Sequence, residues 1–110
     1  MPVEAWSDSV LIGKLTDDPE YTEDLGVLLE QCTNNPRLSV LLDFSNVSYL
    51  NSSNIARLLR LRRLVVGANQ RKLALCGVTP HVWGVFLVTG LDKIFEYHDD
   101  VPTGLASLQV

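Results

Sequence analysis

The segment Asp43-Phe44-Ser45-Asn46-Val47-Ser48-Tyr49-Leu50-Asn51-Ser52-Ser53-Asn54 carries the side chains best placed to do chemistry. An apolar run passes into a polar loop, and the loop ends on two adjacent serines, Ser52 and Ser53, where helical periodicity begins. A serine at a helix start can accept a hydrogen bond from one of the free N–H groups of the first turn, an N-cap worth about 1 kcal/mol. The same free N–H groups, with the partial positive charge of the helix end, also stabilise a phosphate. Phosphorylation there would change surface charge and leave the fold intact. The residue types therefore fit either a structural cap or a binding switch.

Other chemistries find little support. His81 falls in the first turn after Pro80, and His98 stands beside Asp99, with no serine or cysteine motif that would make either one a base. Cys32 and Cys76 are far apart, lack a CxxC spacing, and read as small core residues. Asp17 and Asp18, next to Pro19, read as turn residues rather than as a metal-binding or acid pair. The glycines follow neither a GxGxxG nor a Walker pattern, so no cofactor is expected. Without a catalytic set, the chain is expected not to be an enzyme.

The elements that must position the serine loop follow from apolar patterning. Val10, Leu11, Ile12 and Leu15, preceded by the alternating Val3 and Ala5, predict a strand or hairpin at the start. Leu25 to Cys32 predicts a helix with acidic residues at its positive end, stopped by Asn34, Asn35 and Pro36. Leu38 to Phe44 is apolar enough to be a central strand buried on both faces. A helix over Ile55 to Ala68 follows, closing near Gly67 and Asn69, then a strand from Lys72 to Gly77. Pro80 opens a helix towards Thr89 and Gly90. Ile94, Phe95 and Tyr97 predict an edge strand, and Val101 to Leu108 a last helix. Trp83 and Phe86, three residues apart, are expected in the core, with an exposed docking edge as the other use of that spacing. The alternation predicts one α/β domain over residues 1–110, a mixed, mostly parallel sheet with helices packed mainly on one face.

Composition sets the remaining bounds. Hydrophobic residues make up 46% and charged residues 20%, a balance that folds. The net charge of −4 argues against general nucleic-acid binding. No apolar run approaches the roughly 20 residues that span a bilayer, and the start lacks a signal pattern, so the expected location is the cytoplasm. At about 100° per residue, Ile55, Leu58, Leu59, Val65 and Val66 group on one side of their helix and face the sheet. Ser53, Arg57, Arg60, Leu61 and Leu64 group on the other, and arginine among apolar anchors is the composition of a protein interface. Arg62 falls on the inner side, where its stem can lie along apolar surface with its head in water.

The run Leu41 to Ser53 resembles the signature of STAS domains, a strand ending in Asp-Leu-Ser followed by an aromatic residue, an aliphatic residue and Asp-Ser-Ser-Gly. Cys76 to Val82 and Phe86 to Phe95 resemble the later blocks of the same family, in the same order. The resemblance implies a STAS-like, anti-sigma-factor-antagonist fold. It also implies a partner, an anti-sigma factor that is a serine kinase, which phosphorylates the first serine of the signature. By position that serine is Ser52, with Ser53 as the alternative, and the contact surface is Asn51, Ser52, Ser53, Asn54, Arg57, Arg60, Leu61 and Leu64. Asn51 stands where the family has an acidic residue and Asn54 where it has glycine, both compatible with a turn. Two other roles occur on this fold: an accessory subunit of a membrane transport complex, and a small-molecule or nucleotide sensor.

Overall fold

The computed structural model describes residues 2–67 and 71–108. Ala68 and Asn69, where the sequence closes its second helix, lie outside the described residues. Ten elements follow one another: β1 (Val3–Ser7), β2 (Val10–Lys14), α1 (Glu20–Asn34), β3 (Ser39–Asp43), α2 (Ser52–Val66), β4 (Leu73–Cys76), α3 (Pro80–Thr89), a 3-10 turn (Leu91–Lys93), β5 (Glu96–His98) and α4 (Val101–Leu108). The strands form one sheet in the order β1-β2-β3-β4-β5. β1 runs antiparallel to β2 with a bulge between Ala5 and Ser7, and every other pairing is parallel. The mixed, mostly parallel sheet with β3 at its centre is the architecture the alternation of elements requires.

Alternation along β3 divides the core. Val40 and Leu42 join Leu25 and Leu28 of α1, Leu58 and Leu61 of α2, and Phe86 of α3 in the larger cluster. Leu41 points to the other face and meets Leu105 and Leu108 of α4. Three helices thus cover one face and α4 the other. α4 sits so close that a Cβ at Gly104 would lie 2.6 Å from a Leu41 methyl, so any larger residue there would require the buried Leu41 side chain to shift.

The structure corrects several local expectations. α2 begins at Ser52 rather than Ile55, because the cap is supplied upstream. The edge strand is Glu96–His98, and Phe95 turns into the core. Phe86 is fully buried, whereas Trp83 is half-buried and meets Tyr97 edge-on, with ring centroids 5.0 Å apart. Cys32 and Cys76 lie in the core, and burial pushes the Cys76 thiol up to about 12.

The largest correction concerns the phase of α2. Its inward stripe is Asn54, Leu58, Leu61 and Val65, so Leu61, expected to face outward, is fully buried. Ile55 and Leu59 only flank the core, and Val66 is 40% exposed. The apolar flank residues had drawn the expected centre of the buried face too far round. Leu64 is half-buried against the core, while Arg57 and Arg60 are exposed as expected. Arg62 is half-buried, and its guanidinium lies 5.9 Å from the centroid of the Phe95 ring, a cation–π contact that explains a charge at that position.

Candidate functional site at the start of α2

The loop from β3 to α2 is held by side chains from three parts of the chain: the end of β3, the residue before α3 and the loop before α1. Asp43 Oδ1 accepts from the Ser45 amide (2.9 Å) and hydroxyl (2.7 Å), turning the chain as it leaves the strand. Thr79 donates to the Val47 carbonyl at 3.0 Å, which fastens the loop to the front of α3. Asp17 accepts from the Ser48 amide at 2.9 Å and from the Ser48 hydroxyl.

Neither serine is the cap. Asn51 is the N-cap, its side chain accepting from the Asn54 amide at 2.8 Å, while Asn54 Oδ1 accepts from the Asn51 amide at 3.1 Å. This reciprocal capping box satisfies two backbone donors with two neutral side chains. Asn54 is only 2% exposed, so it is no surface contact. Its Nδ2 donates to Asp18 Oδ2 at 2.8 Å, and its carbonyl accepts from the buried Tyr21 hydroxyl at 3.0 Å. Asp18 Oδ1 in turn accepts from the Thr22 amide and hydroxyl at 3.1 and 2.6 Å. The head of α2 is therefore bolted to the head of α1 through Asp18, Asn54 and Tyr21.

With capping done by Asn51, Ser52 and Ser53 occupy the first two helical positions and are exposed. Among the described residues neither hydroxyl has a hydrogen-bond partner. Tyr49, 42% exposed, stands just before them, and Arg57 and Arg60 continue the exposed side of the helix. Sequence reasoning missed Asp17, Asp18 and Tyr49. The acidic pair reads as a turn until its partners, more than thirty residues away, are in place.

The hydroxyl of Ser48 holds the Asp17 carboxyl below the usual range, and those of Thr22 and the Asn54 amide do so for Asp18, with Arg57 adding attraction. A carboxyl lowered in the fold contributes stability that is complete above its unfolded value and is lost as pH falls through the folded one. Asp24 has the opposite sign: burial and its neighbours Glu23 and Glu20 raise it, so its charge costs stability at neutral pH. Urea midpoints should be flat between about pH 7 and 5 and fall below about pH 4. Asp18→Asn should shallow the acid limb, and an unchanged limb would remove Asp18 from this account.

Residues 18–104 match the sequence profile of the STAS domain. The chain belongs to the STAS domain family. None of the curated protein sequences matches it. Among solved structures, this STAS domain is similar to an anti-sigma-factor antagonist (STAS) domain protein from Planctomyces limnophilus, at 21% identity and TM-score 0.80 over 92% of each chain. It is similar to the anti-sigma factor antagonist SpoIIAA in its unphosphorylated form, at 18% identity and TM-score 0.73 over 94% of this chain and 90% of that one. A sulfate transporter family protein from Wolinella succinogenes shares the fold at 14% identity and TM-score 0.75, over 96% of this chain and 89% of that one. At these identities the likeness is one of fold. Among the described residues, no helix of this STAS domain is long and apolar enough to cross a membrane.

Proposed function

We propose that this STAS domain is a non-catalytic, cytoplasmic regulatory domain that binds an anti-sigma factor with serine-kinase activity, and that Ser52 is its phosphoacceptor. The observation that carries this reading is the division of labour at the head of α2. Asn51 and Asn54 cap the helix, which leaves the exposed Ser52 hydroxyl free of any structural duty. A phosphate at Ser52 would sit over free backbone N–H groups of the first turn, one and a half turns before Arg57. It would replace a neutral, cationic-flanked docking surface by one carrying about −1.5 to −2 charge.

The contact surface is Asn51, Ser52, Ser53, Arg57 and Arg60, with Tyr49 beside them. Leu61 and Asn54 support that surface from beneath. The fold shared with SpoIIAA, solved in an unphosphorylated form, supports a protein partner of the same kind.

Incubation with the partner kinase and ATP should add one phosphate by intact mass to the wild type and to Ser53→Ala, and none to Ser52→Ala. Ser52→Asp and Arg60→Glu should both weaken partner binding, the latter with unfolding free energy held within about 0.5 kcal/mol. Equal phosphate uptake by Ser52→Ala would move the acceptor to Ser53. Recovery of a membrane transport complex, with no kinase, would replace the reading by the accessory-subunit role; a sulfate transporter family protein from Wolinella succinogenes shares the fold.

A further inference from the structure

α1 and α2 lie side by side on the same face of the sheet and carry opposite charge. Every charged residue of α1 is acidic (Glu20, Glu23, Asp24, Glu30), and every charged residue of α2 is basic (Arg57, Arg60, Arg62, Arg63). Among the described residues no salt bridge joins the two helices, and the Lys14–Glu4 and His98–Glu96 pairs lie elsewhere. The inward stripes explain why. Tyr21, Leu25, Leu28 and Cys32 of α1 and Asn54, Leu58, Leu61 and Val65 of α2 face the sheet. At about 100° per residue the outermost positions are then Glu23, Val27 and Glu30 on α1, and Ala56, Arg60 and Arg63 on α2. All six are exposed.

From this geometry we infer that the outer face of α1 and α2 is a self-complementary surface on which a second copy of the chain docks. α1 and α2 each connect neighbouring parallel strands over one face, so they run in the same direction. A two-fold axis along the helices, between the two copies, sets α1 of each over α2 of the other. Glu30 then meets the Arg60 and Arg63 level of the second copy, twice by symmetry, with no like-charged helices opposed. Gly26 and Ala56, both exposed, let the backbones approach, and Val27, 40% exposed, adds apolar contact.

Two helices about 22 Å long and about 10 Å apart cover roughly 400 Å² per copy, which places the pair at the weak, transient end of protein interfaces. The surface is charged and solvated, and screening length falls from about 30 Å at 0.01 M salt to about 3 Å at 1 M. Association should therefore weaken at least about tenfold across that range.

The test is sedimentation equilibrium of the full chain at about 500 µM, within reach of a weak interface. In 0.01 M salt the mean mass should rise towards twice the 12.2 kDa chain mass, and in 1 M salt it should return to the monomer. Arg63→Glu alone and Glu30→Arg alone should each remain monomeric, with melting temperatures near wild type. An equimolar mixture of the two should associate again, because one charged pair is intact and the other is reversed. A wild type that stays monomeric at low salt would overturn the inference. So would association that both variants retain, or a mixture that fails to recover. These readouts contain no kinase or sigma-pathway component, so they stand apart from the fate of Ser52.

Discussion

Leu61→Ala should lower the unfolding free energy by about 3 kcal/mol, within the range for a buried leucine truncated in a well-packed core. The side chain is fully buried between α2 and the sheet, in the same cluster as Leu58, Val65, Leu42 of β3 and Leu73 and Leu75 of β4. Its loss removes both transferred apolar surface and contacts that the neighbours cannot restore by collapse. Arg60, the residue before it, is exposed, and Arg60→Glu should change stability by no more than about 0.5 kcal/mol. Urea denaturation of the two variants therefore reads the rotation of α2 directly. A tolerant Leu61 with a costly Arg60 would mean that the helix presents the opposite face.

Replacing Arg71 by methionine is expected to cost about 3 kcal/mol and lower the melting temperature by about 10 °C or more. The side chain is 8% exposed and lies where α1 and α2 both end. Its guanidinium donates to the carbonyls of Cys32 (2.9 Å) and Asn35 (3.4 Å) at the end of α1, and to that of Leu64 (2.7 Å) at the end of α2. These are carbonyls that a helix end leaves without an internal partner, at the negative pole of its dipole. Burying the guanidinium costs desolvation, and among the described residues its Nε has no hydrogen-bond partner. Three charge-assisted hydrogen bonds outweigh that cost. Lysine should restore only part of the loss, because one ammonium cannot span three acceptors in a planar fork. Thermal unfolding of Arg71→Met within about 2 °C of wild type would show that the carbonyls find other partners.

The sequence made the sheet legible because the apolar runs are unambiguous. Leu38 to Phe44 has too few polar residues to be anything but a doubly buried strand, and the order of strands and helices follows from it. The serine loop was visible for the same reason, since a polar segment between two apolar elements must contain the helix start. The phase of α2 was harder to read. Seven large apolar residues spread over more than half its circumference, and only contact with the sheet shows that Leu58, Leu61 and Val65 define the inner line while Val66 does not. Asn54 was read as a surface turn residue because its partners Asp18 and Tyr21 lie more than thirty residues away. Arg71 was illegible for a similar reason. Its role is set by where two helices stop, and local pattern does not encode that.

The strand at the start of the chain limits how the molecule can assemble. β1 closes the sheet on one side, and an open strand edge ordinarily invites a neighbouring molecule to extend the ladder, which leads to fibres. Here the bulge between Ala5 and Ser7 bends that edge, and Glu4, paired with Lys14 at 3.6 Å, places charge on it. The opposite edge, β5, is only three residues long. Growth by strand addition is thus discouraged at both ends, even though Trp6 stands 54% exposed beside the bulge. Concentrated solutions should stay clear of amyloid-type dye binding, and deleting the bulge by removing Trp6 should be the change that makes them seed.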